Sequence, residues 1–168
     1  SRADANSWRK LESDPREQPF VPQIFGGDKA EMIETVRQLS PDADVIDLNF
    51  GCPAPKVCRT SAGAAMLADP DRLVEMVEAC IEVASCPVSV KLRLGAGNEQ
   101  QTAEGIARRL ETAGVLRIAV HGRTLRQGYS GESDWQAIGR IVRAVDVPVI
   151  ANGDVVDAES ARRCLAVT

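Results

Sequence analysis

The chain has 168 residues, 44% of them hydrophobic and 26% charged, which is ordinary for one globular domain with a real core. Its net charge of −4 argues against a dedicated nucleic-acid-binding protein, although it allows a local basic patch. Because no apolar run approaches the roughly 20 residues that cross a bilayer and the start does not resemble a signal peptide, we expect a cytoplasmic protein without a membrane partner.

Short β-branched runs alternate with helical patterns along the chain. The five predicted strands cover 20–25, 44–50, 86–94, 116–122 and 147–153. The five predicted helices cover 28–39, 70–85, 100–113, 134–145 and 157–166. Asp28 and Asp157 are suitable N-caps, and Gly114 is a suitable C-cap. Alternating apolar strands and helices predict a parallel sheet that helices cover.

Two folds of this class compete, an open doubly wound sheet and a (β/α)8 TIM barrel. A nucleotide-binding open sheet normally carries a GxGxxG turn after its first strand, and the sequence contains none. A barrel places its chemistry where several strands end. The polar residues of this chain lie at such positions: Gln23, Asn49, Lys91, Arg93, His121, Asn152, Gly153 and Asp154. We therefore predict an α/β fold of the TIM-barrel type.

The number of strand–helix units sets the domain organisation. A complete barrel has eight units in roughly 250 residues, whereas five are recognisable here, between residues 20 and 168. We predict that residues 20–168 form an incomplete portion of a barrel. Residues 1–19 precede it as an N-terminal segment to which the sequence assigns no element.

Cys52 lies in a Gly-Cys-Pro turn that follows the second predicted strand, in the stretch DLNFGCPAPKV. Three roles for this thiol are open. A nucleophile needs a nearby base, and His121 is the only histidine of the chain. A proton donor must stay protonated at neutral pH, which the ordinary thiol pKa near 8.5 allows. A structural role is open as well, because free cysteines are often buried.

The cysteines do not indicate a metal site. The chain has five cysteines and one histidine, with no CxxC pair and no spacing typical of zinc ligands. An odd number of cysteines outside a secretory context indicates reduced thiols. We therefore expect no bound metal.

The third predicted strand, VSVKLRL, places two cations in an apolar run. By strand alternation, Lys91 and Arg93 share one face with Ser89, while the apolar residues face the helices. Buried cations need anionic or acceptor partners. Two interpretations stay open: a structural ion pair, or the binding of an anionic part of a cofactor or substrate.

Basic residues occur in two loops that would meet at one rim of the barrel. The loop after the fourth strand contains Arg123 and Arg126, and the loop after the second contains Lys56 and Arg59. Such a patch is suited to docking phosphates despite the net negative charge. The alternative is that these cations are separate and solvated.

Together, these blocks resemble the tRNA-dihydrouridine synthase family. The stretches PQIFGG, DLNFGCPAPKV, SAGAAMLADP, VSVKLRLG, VHGRTLRQGYSGESDW and VPVIANGD follow in the family's order and approximate spacing, over about residues 20–165. The cysteine loop together with the His-Gly-Arg-Thr and Ser-Asp-Trp blocks is highly specific, whereas other flavin barrels share the lysine strand and the Asn-Gly turn. The family's opening strand and its late Gly-Arg-Gly loop have no counterpart in these residues.

This resemblance implies an FMN-dependent oxidoreductase that reduces the C5–C6 double bond of uridines in tRNA, with NADPH as the final reductant. Cys52 would donate the proton to C5, and Asn49 would position the uracil. Gln23 and Lys91 would hold the flavin ring, with Lys91 near the negative charge of the reduced ring. The other implied contacts are Arg93 and His121 near substrate and flavin, Asn152, Gly153 and Asp154 at the ribityl phosphate, and Arg123, Arg126, Lys56 and Arg59 at tRNA phosphates.

Two other functions stay open on the sequence. Another FMN barrel acting on a small molecule such as dihydroorotate would explain Lys91 and the Asn-Gly turn, but not the Gly-Cys-Pro loop. An inactive RNA-binding fragment would retain affinity for tRNA without binding flavin.

Overall fold

The computed structural model describes Asp14, Arg16, residues 18–98 and residues 101–168. Most of the predicted N-terminal segment 1–19 lies outside the described residues, and so does the first position of the helix predicted at 100–113. Within the described part of the chain, no helix is long and apolar enough to cross a membrane.

In the described part of the chain, five strands form one parallel sheet in the order of the chain. They are β1 (Gln23–Ile24), β2 (Ile46–Phe50), β3 (Val88–Arg93), β4 (Ile118–His121) and β5 (Val149–Asn152). Each strand pairs in parallel with the one before it, without the reversal of strand order that defines a doubly wound sheet. This uninterrupted winding is that of part of a (β/α)8 barrel, which confirms the predicted fold.

Helices follow every strand of the sheet. They are α1 (Lys29–Leu39), α2 (Pro55–Cys58), α3 (Pro70–Val83), α4 (Ala103–Ala113), α5 (Trp135–Val142) and α6 (Ala158–Val167), with a 3-10 helix at Gly63–Ala68. The side chains of Asp28 and Asp157 cap α1 and α6, and Gly114 ends α4 with a φ of +93°. The sequence did not predict α2 or the 3-10 helix, because segments of four and six residues are too short to show an apolar period.

The two faces of the sheet differ in chemistry, because successive side chains of a strand point to opposite sides. The face toward the helices is apolar and at most 3% exposed in the three central strands, through Ile46, Leu48, Phe50, Val88, Val90, Leu92, Ile118 and Val120. Burial of each such side chain stabilises the fold by roughly 1.5–3 kcal/mol. The opposite face carries the polar residues, and the alternation predicted for Lys91 and Arg93 is confirmed.

Candidate active site

Strand register places the predicted site residues in adjacent rows on the polar face of the sheet. The rows contain Gln23, Asp47 and Ser89 in the first, Asn49, Lys91, Ala119 and Ile150 in the second, and Arg93, His121 and Asn152 in the third. The third row lies at the carboxyl ends of β3, β4 and β5, where barrels hold their active sites. Strands far apart in the chain therefore contribute to one site.

The Cys52 loop is held from both sides by hydrogen bonds. The side-chain oxygen of Asn49, in β2, accepts from the backbone N–H groups of Gly51 (2.9 Å) and Cys52 (3.0 Å). On the other side, the N–H of Ala64 donates to the Cys52 carbonyl (3.0 Å), and the thiol of Cys58 donates to the same oxygen (3.6 Å). The half-buried Cys52 thiol therefore lies on a fixed turn just past the strand end.

A chain of side-chain hydrogen bonds joins this loop to the first row. Asn49 Nδ2 donates to Gln23 Oε1, and Gln23 Nε2 donates to one carboxylate oxygen of Asp47. Ser89 Oγ donates to the other carboxylate oxygen, and each of the three distances is 2.6 Å. Sequence reasoning missed Asp47. A carboxylate in an otherwise apolar strand, on the same face as Asn49, is the signal that could have found it.

Lys91 is half-buried beside Asn49 in the second row. Burial lowers the pKa of its ammonium group, the neighbouring Arg93 lowers it further, and the carboxylate of Asp47 opposes both effects. A poorly solvated ammonium group on this face is suited to an anionic partner.

Arg93 joins the two loops that flank the site, and it is only 1% exposed. Its guanidinium donates to the carbonyl of Gly51 (2.8 Å) in the Cys52 loop. It also donates to the carbonyls of Thr124 (3.2 Å) and Gly128 (2.6 Å) in the loop after β4. The resemblance implies that Arg93 lies near substrate and flavin, and the hydrogen bonds of its buried guanidinium go to backbone carbonyls of these two loops.

Tyr129 stands over Arg93. The guanidinium carbon lies 5.3 Å from the centroid of the tyrosine ring, within cation–π range, and the ring centroids of Tyr129 and His121 are 6.2 Å apart. Tyr129 is nevertheless 76% exposed. Sequence reasoning missed this residue, although it is the single tyrosine of the chain and follows a glycine in a polar loop.

His121 is a buried and neutral group, 7% exposed. Burial, followed by the charges of Arg93, Lys91 and Arg123, lowers its pKa to about 4, against the opposing effect of Asp154. At neutral pH the ring is therefore uncharged. Because the Arg123 guanidinium only donates, His121 Nε2 accepts from its Nη1 at 3.2 Å, which assigns the ring proton to Nδ1.

Arg123, predicted to contact tRNA phosphates, is a buried residue in a different setting from the other predicted rim cations. It is 6% exposed. Its guanidinium pairs with the Asp154 carboxylate at 2.8 Å and donates to the carbonyls of Ser130 and Gly131. Its partner Asp154 lies 31 residues further along the chain, and no local sequence pattern shows that pairing. The other predicted rim cations are exposed: Lys56, Arg59 and Arg126.

The turn formed by Asn152, Gly153 and Asp154 packs closely against the loop after β4. Gly153 has a φ of +109°, and a Cβ there would lie 2.6 Å from Ser133 Oγ and 2.8 Å from His121 Cδ2, so only glycine fits. Asp154 accepts from the Ser133 N–H at 2.7 Å, and this hydrogen bond is the main reason why the pKa of its carboxyl is lowered. The side chain of Asn152 is exposed.

All five cysteines are free thiols. Burial raises the pKa of Cys80 to about 11, which makes this thiol unreactive. Among the described residues, no group of three or more His, Cys, Asp and Glu side chains is placed to bind a metal ion. Cys52 lies two residues past the end of β2, whereas Cys58 lies further on, in α2.

Sequence comparisons identify relatives along the whole chain. A family model described as "Dihydrouridine synthase (Dus)" matches residues 1–168. The chain is 45% identical over 148 residues to a probable tRNA-dihydrouridine synthase of Rhodobacter capsulatus, covering 88% of this chain and 46% of the relative. It is 36% identical over 173 residues to tRNA-dihydrouridine synthase B of Pseudomonas aeruginosa, covering 99% of this chain and 52% of the relative. The chain spans about half the length of these curated relatives. Because the family model matches all 168 residues, the chain belongs to the dihydrouridine synthase family.

Proposed function

We propose that the protein containing these residues reduces the C5–C6 double bond of specific uridines in tRNA, with FMN as cofactor and NADPH as reductant. The observation that carries this proposal is the half-buried Cys52, whose backbone N–H is held by Asn49 just past the end of β2, while Asn49 itself lies beside Lys91 on the polar face. The relatives are named tRNA-dihydrouridine synthases, which supports the same reaction.

The side chains on the polar face of the sheet are chemically suited to binding FMN. Lys91 offers a poorly solvated cation for the anionic reduced ring, and Gln23 and His121 offer amide and imidazole groups for its heteroatoms. The turn at 152–154 has left-handed backbone at Gly153 and Asp154, and we assign its backbone N–H groups to the ribityl phosphate. When bound, FMN supplies the hydride that the uracil accepts at C6.

Cys52 supplies the proton in this proposal. Reduction of the double bond needs a hydride at one carbon and a proton at the other, and an ordinary thiol is largely protonated at neutral pH. The S–H bond breaks as the C–H bond at C5 forms, and solvent returns a proton to the thiolate. A nucleophilic role is less well supported, because His121, the only histidine, is a weak base with a pKa of about 4.

The uridine has to leave the base stack to reach this thiol. Asn49 Nδ2 uses one N–H for Gln23, and we assign its second N–H to a uracil carbonyl. Arg93 acts on the substrate indirectly, because it holds the Cys52 loop by the Gly51 carbonyl. The exposed ring of Tyr129 is suited to stacking on a base at the rim of the site.

The exposed rim cations complete the proposed substrate surface. Lys56 lies in α2, Arg59 directly follows this helix, and Arg126 lies in the loop after β4. Lysine and arginine contacts to phosphates provide affinity for RNA without reading its sequence. We therefore assign these three side chains to tRNA phosphates, and we leave the buried Arg123 out of this set.

The test uses the full-length protein, FMN, NADPH and tRNA that lacks dihydrouridine. Mass spectrometry of the digested tRNA should show uridines heavier by two hydrogen atoms. Cys52→Ala should abolish this gain but leave FMN bound and reducible by NADPH, because only the proton donor is lost. If the wild-type protein binds and reduces FMN but leaves tRNA unchanged, the proposal fails, and a small substrate such as dihydroorotate becomes the one to test.

A further inference from the structure

The hydrogen bonds between Asp47 and the Cys52 loop have only one consistent direction. The Asp47 carboxylate only accepts, and the backbone N–H groups of the loop only donate. The two amides between them, Gln23 and Asn49, therefore both turn nitrogen toward Asp47 and oxygen toward the loop. An amide turned the other way would place two donors or two acceptors face to face.

Asp47 is the fixed end of this chain of hydrogen bonds. It lies in β2 between two neighbouring strands, pairing with Gln23 of β1 on one side and Ser89 of β3 on the other. Both of its carboxylate oxygens are engaged at 2.6 Å, and Ser89 is only 1% exposed. Groups on packed strands hold their neighbours more accurately than groups on loops.

We propose that Asp47 is a positioning residue for the Cys52 proton donor, acting through Gln23 and Asn49. The inference rests on the proposed function, since that function makes Cys52 the donor. Without an acceptor at position 47, the Gln23 amide loses the partner that orients it, and its hydrogen bond to Asn49 weakens. The Cys52 turn then leaves the geometry that brings the thiol to the uracil, and small displacements of a reacting group are costly in rate.

A second route has to be separated from this one, because the negative charge of Asp47 also acts on the Lys91 ammonium group. Asp47→Leu and Asp47→Asn both remove the charge, but only asparagine keeps an oxygen that accepts from Gln23. The Ser89 hydroxyl can turn to accept from the new amide nitrogen. The two variants therefore separate the hydrogen bond from the charge.

The rate experiment uses full-length protein whose bound FMN is reduced beforehand, and follows uridine reduction in tRNA over a single turnover. We expect Asp47→Leu to be about tenfold slower than Asp47→Asn, which corresponds to about 1.4 kcal/mol for a lost hydrogen bond. In an Asn49→Ala background this ratio should fall to about one. Equal rates for the two variants would show that the charge matters instead, and a ratio that persists without Asn49 would show that Asp47 acts elsewhere; either result overturns the proposal.

The position of the loop is measured separately, without any reaction on tRNA. Iodoacetamide alkylates accessible thiols, and mass spectrometry of the peptides compares Cys52 with Cys86, a partly buried thiol that precedes β3 at the opposite end of the sheet. We expect Asp47→Leu to change the rate at Cys52 by at least about threefold relative to Asp47→Asn and to leave Cys86 unchanged. If Asp47→Leu does not fold, Gln23→Leu is the second variant, because Gln23 is exposed and its replacement interrupts the same chain of hydrogen bonds. It should change the alkylation rate of Cys52 in the same way. Parallel changes at both thiols, or none at Cys52, contradict the proposal.

The two measurements also distinguish this inference from the function on which it rests. If the wild-type protein leaves tRNA unreacted, but substitution of Asp47 changes the alkylation rate of Cys52, the positional link is retained and the assigned reaction is lost. If the wild-type protein reduces uridine, but substitution of Asp47 does not change the alkylation rate of Cys52, the reaction is retained and the positional link is lost.

Discussion

Gly63 lies directly against Cys52. A Cβ at Gly63 would stand 2.8 Å from the carbonyl oxygen of Cys52 and 3.1 Å from its Cβ, and Gly63 has a φ of +58°. The close approach leaves no room for a Cβ at this position, and the left-handed backbone favours glycine there. The small-residue segment after the cysteine loop is therefore the support on which the proposed proton donor rests.

Gly63→Ala should displace the Cys52 loop and slow uridine reduction at least about tenfold, because a rigid backbone oxygen occupies the space that the new methyl group needs. Gly114→Ala is a matched control: Gly114, at the end of α4, also has a left-handed φ of +93°, but apart from its chain neighbours no atom lies within 4 Å of its ideal Cβ position. It should carry only the left-handed strain, about 1–2 kcal/mol. Urea unfolding and single-turnover rates of both variants make the comparison. Equal losses of activity would mean that strain, and not contact with Cys52, is what matters at Gly63.

His121 should make the protein less stable as the pH falls from 6.5 to about 4. Its pKa is lowered from 6.5 to about 4 in the folded chain, so within this window the unfolded chain binds a proton that the folded chain does not. The stability is fully present above pH 6.5, and at most about 3 kcal/mol is lost on acidification. His121→Gln should flatten the pH dependence of the unfolding free energy by this amount. An imidazole resonance of His121 that titrates near 6.5 in the folded protein would contradict the expectation.

Lys91→Met should slow the reduction of bound FMN by NADPH about tenfold or more, because a low-dielectric site amplifies the loss of a cation near the reduced ring. The methionine keeps the length and apolar stem of the side chain. Lys29→Met is the control, since Lys29 lies on the outer helix α1 with its side chain 51% exposed. Stopped-flow absorbance of the flavin measures both rates. Equal rates for Lys91→Met and Lys29→Met would remove Lys91 from the proposed flavin site.

The fold could be predicted where the chain repeats a local pattern. Strands and long helices were found within a few residues of their ends, because alternation and caps such as Asp157 depend on neighbouring residues alone. The helix α2 was missed because it is one turn long, and only Pro55 at its start could have indicated it.

The site could be predicted as a set of positions but not as a set of contacts. Lys91 and His121 could be singled out as candidates because polar residues near the ends of apolar strands stand out in the sequence. The role of Asp47 depends on strand register, which brings Gln23 and Ser89 from 24 and 42 residues away. The burial of Arg123 likewise depends on a distant partner, Asp154, which its local sequence context does not show.

Exposed and buried cations of the rim should differ in their effects on tRNA binding. Joint replacement of Lys56, Arg59 and Arg126 by alanine should reduce the slope of log K against log salt by about 2–3, because each phosphate contact contributes about 0.7–0.9. The unfolding free energy should change little, because these side chains are exposed. Filter binding at several salt concentrations and urea unfolding measure the two quantities.

Arg123→Ala should have the opposite effect in the same two measurements. The salt slope should stay unchanged, whereas the unfolding free energy should fall by about 2 kcal/mol or more. The reason is that Asp154 loses its ion pair, and the carbonyls of Ser130 and Gly131 lose a buried donor. The contrary outcome is that Arg123→Ala keeps wild-type stability and reduces the salt slope. The Arg123 guanidinium would then have to leave Asp154 and bind a tRNA phosphate. In that case the buried ion pair would be present only without tRNA, and tRNA binding would break it.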